Sequence, residues 1–257
     1  MHVFDMFKLN GKTALVTGGG RGLGAQIAEA LAEAGANVVL CSRKRDVCEQ
    51  VSAQLRDQGV QSLAFACDVT KPEDVARVVA QTVHHFGAID ILVNNSGATW
   101  GAPVVDMPLA AWQKVIDVNV TGTFLMSQTV GKAMIERKSG KIINIASIAG
   151  FGGTDPRLMD TIGYNTSKGA VMTFTKDLAV KWGRYNIQVN AIAPGFFPTK
   201  MSHVLIEMGK EQILEETPLG RLGGESDLKG AALFLASRAS DYVTGEVIAV
   251  DGGVHAL

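Results

Sequence analysis

Thr13-Ala-Leu-Val-Thr-Gly-Gly-Gly-Arg-Gly-Leu-Gly24 is the stretch from which the fold is read. Residues 13–17 are short, apolar and β-branched, which predicts a strand buried on both faces. The glycines then turn the chain, and Ile27, Ala28, Leu31 and Ala32 recur at the spacing of one helix face. Strand, glycine turn and helix together suit a phosphate. Backbone without Cβ atoms approaches it closely, and the free N–H groups of the first helical turn point at it from the positive end of the helix dipole. Two glycine frames compete. Gly18, Gly22 and Gly24 form Gly-x-x-x-Gly-x-Gly, starting where the strand stops. Gly20, Gly22 and Ala25 fit the Gly-x-Gly-x-x-Ala dinucleotide fingerprint but start two residues later. The first frame is preferred because it begins at the strand end. Ala25, not lysine, follows Gly24, which argues against a P-loop ATPase.

Outward from this turn, strand-like runs recur at 13–17, 37–41, 62–67, 89–94, 141–146, 187–192 and 247–250. Helical patterns lie between most of them, around 23–34, 45–58, 72–86, 108–136, 164–183 and 226–236. Such alternation predicts an α/β protein: a Rossmann-type, doubly wound, parallel seven-stranded sheet with helices on both faces. Right-handed crossovers then put the ligand at the carboxyl ends of the strands. The whole span 1–257 reads as one domain. Residues 195–225, with Pro198, Pro218 and several glycines, read as a mobile substrate flap with short helices.

The chain has 257 residues, 47% of them hydrophobic, enough for a full core. A net charge of −1 gives no electrostatic case for nucleic acid or a membrane surface. No apolar run reaches the roughly 18 residues of a membrane span, and the first residues lack a signal-peptide pattern. Cys41, Cys48 and Cys67 lack metal-ligand spacing, so no metal is expected and free thiols in a reducing cytoplasm fit best.

The strand ends carry the chemistry. The second ends in Ser42-Arg43-Lys44-Arg45, where many NAD sites place a carboxylate for the ribose hydroxyls. A hydroxyl and a guanidinium suit a 2′-phosphate instead, and Arg21 in the glycine turn adds charge. This favours NADP over NAD; the alternative is a solvated charge run at a helix start. After the third strand, Asp68 is placed to bond an adenine amino group, and Thr70 to Glu73 reads as a capping box. Asn94 and Asn95 end the fourth strand, either tying strands together or forming a turn. Asn119 lies among apolar residues, where an amide must find partners; bridging backbone at a helix bend is one role. The fifth strand ends at Ser147, and Tyr164 and Lys168 follow on one helix face.

With these residues in order, the chain resembles the short-chain dehydrogenases/reductases. The resemblance rests on residues 17–24, Asp68, Asn94-Asn-Ser-Gly97, Asn119, Ser147, Tyr164-x-x-x-Lys168, Pro194-Gly195 and Asp251-Gly-Gly253, almost the whole chain in the family's order. Within the family it looks most like bacterial enzymes of the 3-oxoacyl reductase and gluconate 5-dehydrogenase type. The resemblance implies a nicotinamide cofactor, a ketone or alcohol substrate, a homotetramer and a catalytic tetrad of Asn119, Ser147, Tyr164 and Lys168. It implies cofactor contacts from Gly18, Gly20, Arg21, Gly22, Leu23 and Gly24, and from Ser42, Arg43, Asp68 and Val69. Asn95, Gly97, Tyr164, Lys168, Pro194, Gly195 and Thr199 complete that set. Tyr164 then delivers the proton, with a Lys168 ammonium pulling the phenol down from its ordinary pKa of about 10. Ser147 bonds the substrate oxygen where charge develops.

The chain departs from the family at Ser96, where alanine is usual, and in the lengthened stretch between Ser147 and Tyr164. Trp100, Phe151, Met159, Phe196 and Phe197, with Met201, are expected to form an apolar substrate wall. Arg157 either holds a substrate carboxylate or points to solvent beside Asp155 and Asp160; the second is favoured.

Overall fold

The computed structural model describes residues 2–257. Strand β1 (Thr13–Thr17) leads through the glycine turn into α1 (Gly22–Glu33), and β2 (Asn37–Ser42) leads into α2 (Arg45–Asp57). Next come β3 (Ser62–Ala66), α3 (Pro72–Phe86) and β4 (Ile91–Asn94). Helices α4 (Leu109–Ile116) and α5 (Gly122–Arg137) precede β5 (Gly140–Ile145), and α6 (Ile162–Trp182) precedes β6 (Ile187–Pro194). The chain closes with α7 (His203–Glu215), α8 (Lys229–Ala236) and β7 (Val247–Val250). The sheet has seven strands in the order β3-β2-β1-β4-β5-β6-β7, all parallel. Order reverses between β1 and β4, and the crevice there at the strand carboxyl ends is where such folds bind ligands.

The alternation of side chains along each strand builds two cores. Ala14, Val16, Val38 and Leu40 face α1, α2 and α8, where Ile27, Leu31, Leu55 and Leu235 cover them. Leu15, Val39, Leu92 and Ile142 face the other way, toward Val75, Met126, Met134 and Leu178 of α3, α5 and α6. Helices α5 and α6 pack closely because Gly131 has no side chain: a Cβ there would lie 2.2 Å from the Trp182 ring.

As expected over 108–136, the chain is helical from Leu109 to Arg137, with a π turn at Asp117–Thr121 that carries the buried Asn119. One local expectation is corrected: the capping box at Thr70 does not form. Pro72 opens α3 after Lys71, and the Asp68 carboxylate takes both the Thr70 N–H (3.1 Å) and hydroxyl (2.8 Å). The carboxylate of Asp74, not Glu73, reaches back, accepting the Asp68 N–H at 2.9 Å.

Candidate active site

The glycine turn adopts the first frame. Gly18 and Gly22 have φ of +64° and +53°, in the left-handed region, whereas Gly20 does not. Gly24 is the close approach: a Cβ there would lie 2.3 Å from Asn95 Nδ2 and 2.5 Å from the Gly18 carbonyl. Asn95 clamps the turn by donating to the carbonyls of Thr17 (2.9 Å) and Gly18 (3.2 Å). The Thr17 hydroxyl accepts from the N–H groups of Asn95 and Ser96, both at 3.0 Å, so β1 and β4 are tied at the crevice. Asn94 ties strands too, donating to Asn144 (2.9 Å) and to Ser127 on α5 (3.0 Å).

These features fit a dinucleotide. No side chain caps the start of α1, so its first N–H groups are left for an anion. Arg21 and Arg43 are exposed, and neither has an ion-pair partner among the described residues. Ser42, the last residue of β2, is half-buried. Thr199 arches over the turn, its Cγ2 3.4 Å from where a Gly22 Cβ would be, and Met201 similarly reaches to 4.0 Å of Gly97. Pro194 and Gly195 end β6, where Asp251 packs against Gly195. Leu23 and Val69 are packed into the two cores, Val69 against Gly122. Asp68 spends one carboxylate oxygen on its own turn.

At the other end of the crevice, Ser147 follows β5, its hydroxyl accepting from the Ala149 N–H (3.2 Å). Tyr164 and Lys168 come from the first turns of α6, and Lys168 Nζ stands 5.6 Å from the Tyr164 ring centroid. Lys168 is 5% exposed and donates to the Ile145 carbonyl at 2.6 Å. Burial lowers its pKa to about 8. Burial also pushes the Tyr164 phenol up, with Ser147 beside it pulling back down.

Asn119 meets every demand of a buried amide. Its Oδ1 accepts from Ala98 N–H (2.7 Å), and its Nδ2 donates to the Ala98 carbonyl (2.9 Å) and to Ser167 Oγ (2.8 Å). It thus locks the π turn to the segment after β4 and to α6. Ser167, which passes its own proton to the Tyr164 carbonyl at 2.7 Å, and Thr17 were not expected. The signal for both was a hydroxyl directly before a motif residue, Lys168 and Gly18 respectively.

The aromatic wall is only partly assembled. Phe197 is buried in the core beside Gly223, and Phe151 stacks on His255 with ring centroids 5.0 Å apart. Phe196 lines a cavity with Pro218, Leu219 and Arg221. Trp100 is exposed, and Met159 lies in the long loop, whose Asp160 carbonyl accepts from Ala102 N–H. Phe197 thus goes to the core, whereas Phe151 stays 45% exposed against His255. Arg157 is bound bidentately to Asp155 and faces solvent, holding the Asp155 carboxyl down to about 2.

A family model described as enoyl-(acyl carrier protein) reductase matches residues 18–255. The chain is 43% identical over 255 residues to 2-dehydro-3-deoxy-D-gluconate 5-dehydrogenase of Bacillus subtilis, covering 98% of each chain. It is 39% identical over 252 residues to 5-keto-D-gluconate 5-reductase of Escherichia coli K12, covering 97% of this chain and 98% of that one. A solved gluconate 5-dehydrogenase from Burkholderia cenocepacia, in complex with NADP and tartrate, superimposes with a TM-score of 0.95 at 38% identity over the full length of both chains. With a parallel sheet, a glycine turn and a Ser–Tyr–Lys cluster at its carboxyl edge, the chain belongs to the short-chain dehydrogenase/reductase family and is an oxidoreductase.

Proposed function

We propose that this protein is an NADP(H)-dependent carbonyl reductase that interconverts a ketone and its secondary alcohol. The observation that carries this reading is the buried Lys168 beneath Tyr164 and Ser147 at the crevice. The cofactor, when bound, supplies or accepts the hydride. The protein supplies the proton and the charge. A phenol held above its ordinary pKa is protonated at neutral pH, so Tyr164 is a proton donor to a ketone oxygen. Ser147 donates to that oxygen as negative charge grows on it. Lys168, with a pKa of about 8, is mostly an ammonium at neutral pH and offsets charge left on Tyr164. Asn119 holds the turn that faces them. The glycine turn cradles the diphosphate, and Ser42 with Arg43 takes the 2′-phosphate.

Two findings favour a keto-sugar acid as substrate: the similarity to enzymes named for gluconates, and the withdrawal of Phe197 from the apolar wall into the core. Residues 195–225 act as the substrate flap. The protein works as a homotetramer in a reducing cytoplasm, in keeping with three buried free thiols.

The test is NADPH consumption with 5-keto-D-gluconate and with a bulky apolar ketone, in wild type, Tyr164→Phe and Arg157→Ala. Wild type should reduce the keto acid better. Tyr164→Phe should lose roughly 10²–10⁴-fold in kcat with cofactor binding unchanged, and Arg157→Ala should keep its activity. A Tyr164→Phe enzyme with more than half of wild-type turnover would remove Tyr164 as the acid, and better turnover of the apolar ketone would overturn the substrate class.

A further inference from the structure

Cys48, in the first turn of α2, touches both halves of the adenosine end of the crevice. A Cβ on Gly20 would lie 3.0 Å from Cys48 N and 3.1 Å from its Sγ, so α2 packs directly on the glycine turn. Its thiol also donates to Ser42 Oγ at 3.2 Å, and the Lys44 N–H reaches the same oxygen at 3.3 Å. A hydroxyl has one proton and two lone pairs. Here both lone pairs are filled by donors, so what Ser42 has left to offer a ligand is its proton, which now goes to the Lys44 carbonyl at 2.9 Å.

We propose that Cys48 is a positioning residue for cofactor choice: by donating into Ser42 Oγ it commits that hydroxyl to act as a donor, which suits a 2′-phosphate. The inference rests on the NADP(H) reading above. A 2′-phosphate offers acceptor oxygens, so it matches a hydroxyl that can only donate. A bare ribose hydroxyl both donates and accepts, and gains nothing from that restriction. Cys48 is fully buried, and burial, against a smaller downward pull from the Ser42 contact, pushes its thiol above the ordinary value, so the S–H donor persists at neutral pH. Ser42 alone, without the thiol, is free to turn a lone pair outward.

The experiment compares wild type, Cys48→Ala and Cys48→Ser with NADPH and with NADH, reading KM and kcat for each cofactor. Cys48→Ala should raise KM for NADPH about two- to fivefold, in line with one modest hydrogen bond. Its KM for NADH and its kcat with either cofactor should hold. Cys48→Ser restores a donor of similar size and should return KM for NADPH to near the wild-type value. Equal rises in KM for both cofactors, or failure of serine to rescue, would reduce Cys48 to a packing residue and overturn the proposal. So would an unchanged KM for NADPH in Cys48→Ala when wild type prefers NADPH, and that result would leave the NADP(H) reading standing. A wild type that prefers NADH would overturn the 2′-phosphate reading itself, and this role of Cys48 with it.

Discussion

At the scale of single residues, Lys168 shows the cost of a functional charge. Its folded pKa of about 8 lies below the 10.5 of a free lysine, so between those values the unfolded chain binds the extra proton. Stability linked to Lys168 therefore rises with pH from about 8 to 10.5, and the buried ammonium is most costly below pH 8, by roughly 3 kcal/mol. Lys168→Met keeps the length and removes the charge, while freeing the Ile145 carbonyl it now satisfies. The variant should be inactive yet more stable at pH 7 by roughly 1–3 kcal/mol, a gain that shrinks toward pH 10.5. Thermal melts of both proteins across pH 6–10.5 measure this. No gain at pH 7 would mean that the ammonium is better solvated than its surroundings indicate.

At the scale of elements, the glycine turn is held by contact as much as by flexibility. Gly24 has an ordinary helical place, so its need for glycine is steric: a methyl group would strike Asn95 Nδ2 and the Gly18 carbonyl. Gly24→Ala should push Asn95 off the turn and lower stability by about 1–3 kcal/mol, the usual cost of overpacking. Affinity for NADPH should fall with it. Urea unfolding and fluorescence titration with NADPH measure the two effects, and an unchanged titration would show that the turn tolerates displacement. The lengthened loop between Ser147 and Tyr164 has its own seat. Leu158 packs on Gly209, where α7 departs from helical geometry at φ −123°, ψ 21°. The loop is thus joined to α7.

At the scale of the whole molecule, apolar side chains remain on the surface of the α4–α5 and α6 layer. Leu109 is 77% and Val180 83% exposed, and Phe124 is exposed on α5. Strand β7, at the edge of the sheet, is only half-buried along its length. Exposed apolar helices and an open strand edge both favour association. The expected mass in light scattering at micromolar concentration is four times that of the 27.2 kDa chain. Val180→Asp should shift that mass downward, and a stable wild-type monomer would refute the assembly.

The sequence by itself determined the seven strands, the glycine frame and the order of the motif residues. These are signals carried by neighbours in the chain: β-branched apolar runs, glycines at fixed offsets, and a Tyr–Lys pair one helical turn apart. The end of β2 at Ser42 was legible as part of the crevice rim because strand ends in this topology line the crevice. What only the tertiary structure decided depends on partners distant in sequence. Asn119 sits in a π turn because Ala98 and Ser167 bid for its amide, which helix periodicity cannot express. Phe197 went to the core, since burial against fitting neighbours, not position beside a motif, sets where such a ring rests, while Phe151 stayed exposed on His255. The upward shift of the Tyr164 phenol comes from desolvation, which depends on how α6 packs against the sheet rather than on any neighbour in the chain.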